Sequence, residues 1–323
     1  MEQMARKGVQ RLFISMEEGK SLQPSGAFHK FRYGRQRFGG IFFTPCPKCL
    51  PCAHDRFLAK SVLVIFKQFL TMNKSPCSLP RERDPKGAPL IIDLLPDEID
   101  GVRSTFVFLS PGAISSEPVL EMEDQVFLIL FGNGRISAGG KKYLVEGQKI
   151  AHFPLGWPVE VMGQGEQGVA LLVLHLALTR DDLEDLTAYD ERCRHPYLKG
   201  FQECETYGEK IKSPKTRSRT LLPHGIVPRM AIGTVETTGP DQVALHCHPM
   251  LEQYFLGLED NDITVFADGK RIPLKADELF HIPLGSNHGA AVEEGCRLNY
   301  LWIDFFHDRS GLEWLKNHML VTP

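Results

Sequence analysis

The sequence predicts an all-β protein built by tandem duplication of one barrel or sandwich unit, and three observations carry that reading. From residue 88 onward, short β-type runs such as "STFVFLS", "QVFLILFG" and "LNYLWIDFF" are separated by Gly, Asp and Asn turns. These runs form two sets that superimpose without a gap: residues 123–156 lie over 252–285 at an offset of 129. Helical patterning is confined to two stretches, "TRDDLEDLTAYDERCR" (179–194) and "SGLEWLKNHML" (310–320).

In the overlay Glu123 meets Glu252, Gly140 meets Gly269, and His152 meets His281. Pro154-Leu155-Gly156 meets Pro283-Leu284-Gly285 in the same frame. The expected organisation is a leader over 1–71, a first barrel over 72–178, a helical linker over 179–220 and a second barrel over 221–323. Thr179 or Asp181 opens the linker helix. Ser310 and Glu313 have the spacing of a capping box for a C-terminal helix. The stretch "KSPKTRSRT" (212–220) reads as an exposed basic connector, a plain solvated linker ahead of the alternative that its four positive charges help to attract an anionic substrate.

The chain has 323 residues, 42% of them hydrophobic, enough for a large core and two domains. A net charge of -3 argues against a general nucleic-acid binder. The longest apolar run, "SVLVIF" at 61–66, is too short for a membrane span. Eight cysteines without framework spacing point to reduced thiols in a cytoplasm. Residues 1–71 carry twelve Lys/Arg against four Asp/Glu, and the remainder twenty-five against thirty-six. With no periodicity of 2 or 3.6, the basic segment reads as a presequence, a loose leader, or an over-long start whose natural beginning is Met72. Its Cys46, Cys49, Cys52 and His54 have spacing that thiolate metal sites use, but no matching ligand pair follows downstream.

The chemistry concentrates in "HCHPMLEQYF" (246–255). Residues i and i+2 of a strand face the same way, so His246 and His248 point together, while Cys247 points away. A bend at Pro249-Met250 would return Glu252 to the same interior, and the turn "PLGSNH" would deliver His288. Three imidazoles and a carboxylate suit Mn, Fe, Co, Ni, Cu or Zn and suit Ca or Mg poorly. Tyr254 shares the parity of Glu252 and is the acid/base candidate by position. In the first copy His246, His248 and His288 map to Glu117, Val119 and Val159, so that copy is expected to lack the metal. His152 and His281 precede the Pro-Leu-Gly turn and fall outside the ligand positions.

The constellation resembles the cupin family, with motifs G-x5-H-x-H-x3,4-E-x6-G and G-x5-P-x-G-x2-H-x3-N. The first appears as His246-x-His248-x3-Glu252, with Gly239 one residue early and Gly257 only five after the acid. The second appears as Pro283-x-Gly285-x2-His288, with Asp277 in place of its first glycine and Val292 in place of its asparagine. The resemblance covers about residues 88–306. It implies two tandem double-stranded β-helix (jelly-roll) barrels, with one divalent transition metal in the second. It further implies an enzyme acting on a small polar carboxylate, keto or hydroxy metabolite by isomerase, lyase or decarboxylase chemistry. A metal-dependent dioxygenase and a non-catalytic metabolite-binding or storage protein are the competing readings. The partners expected are a small-molecule substrate and a second copy in a homodimer, without nucleic acid or membrane.

Overall fold

The computed structural model describes residues 75–80, 87–119, 121–188, 191–308 and 311. The leader with Cys46, Cys49, Cys52 and His54, the Met72 boundary and most of the expected C-terminal helix lie outside the described residues. The first barrel comprises β2 (Leu90–Leu94), β3 (Val102–Leu109), β4 (Ile114–Glu117), β5 (Glu123–Ala138), β6 (Lys141–Glu146), β7 (Lys149–His152) and β8 (Val159–Ala177). The second comprises β12 (Met230–Thr238), β13 (Asp241–His246), β14 (Leu251–Gly257), β15 (Asp262–Ala267), β16 (Lys270–Lys275), β17 (Glu278–Ile282), β18 (His288–Val292) and β19 (Arg297–Phe306). All named strands pair antiparallel. No helix among the described residues is long and apolar enough to cross a membrane.

The two barrels pack back to back. In β14 and β19, Tyr254, Leu256, Leu301, Ile303 and Phe305 share one buried cluster with Phe106, Val126, Leu128, Leu172 and Leu174 of the first barrel. The alternate residues Phe255, Leu298 and Tyr300 fill the interior of the second barrel instead. Likewise Phe127, Ile129, Leu171 and Val173 fill the first. Strands buried on both faces need no polar alternation, which is why "VALLVLHLA" and "QVFLILF" read as continuous apolar runs.

Strand exchange ties the halves together. β1 (Cys77–Ser78) precedes the first barrel yet pairs with β17 of the second, Cys77 opposite Leu279. β9 (Tyr197–Gly200) precedes the second barrel yet pairs with β7 of the first, His152 opposite Tyr197. Each exchanged strand covers an otherwise open sheet edge. The segment 179–220 therefore does more than link. It holds α1 (Arg180–Ala188), β9, β10 (Thr206–Tyr207) and β11 (Arg217–Leu222), the last two joining the large sheet of the second barrel. The "exposed connector" is corrected here: Ser218 and Arg219 are buried, and Arg219 pairs with Glu236 at 2.7 Å. Pairing to β12 draws these residues into the sheet and leaves alternate side chains on its covered face.

Thr179 caps α1. Its hydroxyl accepts from the Asp182 N–H at 3.1 Å while its own N–H donates to Asp182 at 2.8 Å. Burial would raise the Asp182 carboxyl, but Arg229 and the Thr179 contacts outweigh it and hold it below its ordinary value. Arg229 also donates to the carbonyls of Ala177 and Phe306, the ends of β8 and β19.

One shared core predicts cooperative unfolding. Leu301 is fully buried between the barrels, and Leu301→Ala should cost about 2–5 kcal/mol. Calorimetry should show one transition moving down as a unit. Two resolved transitions, with only one displaced, would contradict the shared core.

Candidate metal centre

Pairing between two strands distant in sequence gathers the histidines. His246 ends β13 directly opposite His288, the first residue of β18. The turn before β18 is closed by the Ser286 N–H donating to the Pro283 carbonyl at 3.1 Å. Gly285, at φ 70, donates its N–H to the His248 carbonyl at 3.1 Å, fastening the second histidine to the same turn. Asp277, standing where the cupin motif has glycine, adopts φ 61, a region that Asp tolerates. The substitution therefore preserves the turn.

The three side chains converge. One ligand atom from each of His246, His248 and His288 lies within 4.8 Å of the others. His288 is 2% exposed. The His246 Nδ1–H donates to the Ala244 carbonyl at 2.8 Å, and the His288 Nδ1–H to the Ser286 carbonyl at 2.9 Å. Tying Nδ1 in this way leaves Nε2 as the lone-pair nitrogen. Burial and then the neighbouring His246 push the His288 pKa down to about 3, so its imidazole is neutral at physiological pH. Its Nε2 is buried with no hydrogen-bond partner among the described residues, the arrangement a metal would satisfy.

Glu252 is not brought to this set, and the four-ligand assignment is corrected. Its carboxylate faces the other side of β14, accepting from His281 Nε2 at 2.7 Å and lying 3.3 Å from His307 Nε2. His281 in turn reaches Glu98 of the first barrel at 3.2 Å. Burial would raise the Glu252 carboxyl, but His281 and His307 together draw it down to about 2. Tyr254 follows the same parity. It is fully buried against His281 and Phe305, and its phenol is raised by burial and by Glu252. It has no route to a metal at the triad, so its acid/base assignment is also corrected.

The residue facing inward is Gln253. It lines a cavity of about 530 Å³ together with His246, His248, Phe255, Tyr300, Trp302 and Asp304. Its amide N–H donates to Asp304 at 2.6 Å, and its Oε1 is buried without a hydrogen-bond partner among the described residues. The amide oxygen is thus a donor candidate on the cavity that His246 and His248 also line. The cupin spacing tolerates three or four residues before the acid, and the longer count falls on Gln253. That ambiguity was the available signal.

The gapless repeat concealed the answer. In the first barrel Val126 pairs with His152 and Leu174; in the second Tyr254 pairs with His281 and Ile303. β14 therefore matches β5 at one residue less than the overlay suggests, and the count returns to the overlay only past the turn at Leu258–Asn261, where Ala267 faces Lys270 as Ala138 faces Lys141. The counterpart of Glu252 is Asp124, which meets His152 at 2.9 Å just as Glu252 meets His281. Glu123 lies instead with Glu117, His175 and Arg103: His175 Nδ1 is 2.7 Å from Glu123, His175 Nε2 is 3.8 Å from Glu117, and Arg103 is 3.1 Å from Glu123. That end of the first barrel carries a guanidinium among its carboxylates, in place of an imidazole triad.

Asp304 and Lys212 line the cavity and were not singled out from the sequence. Burial pushes the Asp304 carboxyl up to about 7, against the donor from Gln253. Burial likewise pulls the Lys212 ammonium down, opposed by Glu209. Of the last-strand residues, Trp302 lines the cavity, while Asn299 bonds Asn261 and Glu259 and Arg297 reaches Glu236 and Asp260. Cys247 is exposed.

No protein-family profile matches the chain, and no curated protein sequence matches it. Solved structures do. A Pseudomonas aeruginosa protein described as glyoxylate-induced aligns with TM-score 0.57 at 11% identity, over 67% of this chain and 78% of that one. Oxalate decarboxylase from Bacillus subtilis aligns with TM-score 0.53 at 14% identity, over 73% and 76%. Oxalate decarboxylase from Lactobacillus farciminis, solved as a formate complex, aligns with TM-score 0.53 at 12% identity, over 78% and 91%. The fold is the two-barrel cupin fold. Within it, the second barrel holds a histidine triad that could bind a metal.

His248→Ala should lose bound zinc, whereas Glu252→Ala should keep it, as read by elemental analysis. Glu252 has another signature. Its folded pKa is depressed from 4.5 to about 2, so its contribution to stability is present above the ordinary value and lost as pH falls toward 2. Glu252→Ala should therefore cost about 3–5 kcal/mol near neutrality, the usual scale for orphaning a buried charge partner. That deficit should shrink in denaturation series taken below pH 4.5. A pH-independent deficit would contradict the pairing.

Proposed function

We propose that the chain is a metal-dependent enzyme that acts on a small carboxylate by lyase- or isomerase-type chemistry in the second barrel. The observation that carries this is the triad itself: His246, His248 and His288 converge, and the first two line a cavity large enough for a metabolite. His246, His248 and His288 would hold a transition metal, with Gln253 offering an oxygen. The bound ion would supply a Lewis acid that polarises a substrate oxygen. Every other task falls to the chain. Lys212 supplies positive charge to the cavity for an anionic substrate. Asp304, hydrogen-bonded to Gln253 on the same wall, is placed to hold or move a proton at its carboxyl. Phe255, Tyr300 and Trp302 exclude water from that wall. The oxalate decarboxylases of the same fold act on a small dicarboxylate, which supports carboxylate chemistry without fixing the substrate here.

The test is turnover of metal-loaded protein against small keto, hydroxy and dicarboxylic acids, with metal content measured on the same samples. Asp304→Asn should keep the metal and lower turnover by about 10² or more, the scale for losing a positioned proton carrier. Tyr254→Phe should leave turnover unchanged. Stoichiometric oxygen consumption, or turnover that survives complete chelation, would refute the reading.

A further inference from the structure

We propose that the cavity of the second barrel selects an aromatic carboxylic acid, its carboxylate held by Lys212 and its ring by Phe255, Tyr300 and Trp302. The inference deepens the functional reading above, and rests on it for the site being a carboxylate site at all. Lys212 comes from the segment between the barrels, docked on β13 by a bridge to Val243 and by the Ala244 N–H donating to the Ile211 carbonyl. Its side chain is 7% exposed, and an ammonium so buried needs an anion beside it. In the structure that anion is Glu209, three residues back on the same segment and more exposed at 25%. The Ser218 hydroxyl takes a second ammonium N–H at 3.1 Å. An ammonium has three donors, so one remains for a ligand carboxylate. The more exposed Glu209 is also the partner that a ligand can displace into water.

The rest of the wall defines the other end of the ligand. Phe255 and Tyr300 lie with ring centroids 4.8 Å apart, and Trp302 and Tyr207 line the same cavity. Tyr207 also lies beneath the Lys212 ammonium, 5.1 Å from its ring centroid. A volume of about 530 Å³ sits within the range of about 300–1,000 Å³ for pockets that enclose larger organic ligands. A two-carbon acid would leave most of it to water. A planar ring beside three aromatic side chains gains contact area and offset stacking that an aliphatic body does not.

Calorimetric titration of the full chain with phenylacetate, phenylacetamide and acetate tests this, in zinc-loaded and chelator-treated protein. None of the three probes needs the metal to show the preference. Phenylacetate should bind at least about tenfold more tightly than either control. Lys212→Met should abolish the preference for acid over amide while leaving amide binding. Glu209→Gln, which removes the competing carboxylate, should strengthen phenylacetate binding. Equal affinity for phenylacetate and phenylacetamide in the wild-type protein would overturn the proposal without reference to any variant. So would equal affinity for phenylacetate and acetate, or an acid preference that survives in Lys212→Met. If the chain binds no metal but keeps the phenylacetate preference, the ligand class stands and the metal reading alone fails.

Discussion

The two-faced burial of β14 and β19 is the constraint on which the site depends. One face of each strand closes the core shared with the first barrel, through Tyr254, Leu256, Leu301 and Ile303. The other face, with Phe255 and Tyr300 in the core of the second barrel and Gln253, Trp302 and Asp304 along the cavity, belongs to the interior. With period two, a one-residue slip would exchange every side chain between these environments. It would carry Tyr254 out of the shared core and Phe255 into it, so the register is held by packing on both sides. Glu252 points away from the triad for this reason, and Gln253 points toward the cavity.

Burying acids between barrels has its own requirements. Each barrel answers with a histidine from the neighbouring strand, His152 of β7 for Asp124 and His281 of β17 for Glu252. Breaking such a pair leaves an uncompensated buried charge, which costs more than the pair itself gains. The Glu98 contact to His281 extends the arrangement across the interface, and strands β1 and β9 cross it in both directions. The triad strands β13 and β18 lie in the separate four-stranded sheet, and His288 faces Phe255 of the wall whose back is the other barrel.

Much of this was legible in the sequence. The strand runs, the turns and the repeat gave the all-β duplicated architecture, and the spacing of His246, His248 and His288 anticipated their convergence. Glu252 and Tyr254 were misplaced because a gapless alignment hides a one-residue offset between β5 and β14, which flips the parity. Two acids of the same type aligned, yet they serve different neighbours: Glu123 meets Arg103 and His175, Glu252 meets His281. Lys212 was missed for another reason. A basic, Ser-rich stretch has the composition of a solvated linker, and only its docking on β13 reveals that this ammonium is buried.

The measurement that tests the account most directly is a crystal structure of zinc-soaked protein, with anomalous scattering used to place the ion. The account predicts one site, bounded by His246, His248 and His288 at Zn–N distances of about 2.0–2.1 Å. Gln253 should lie on its open side, and Glu252 should remain with His281. An ion coordinated by the Glu252 carboxylate, or an anomalous peak away from the three imidazoles, would contradict it.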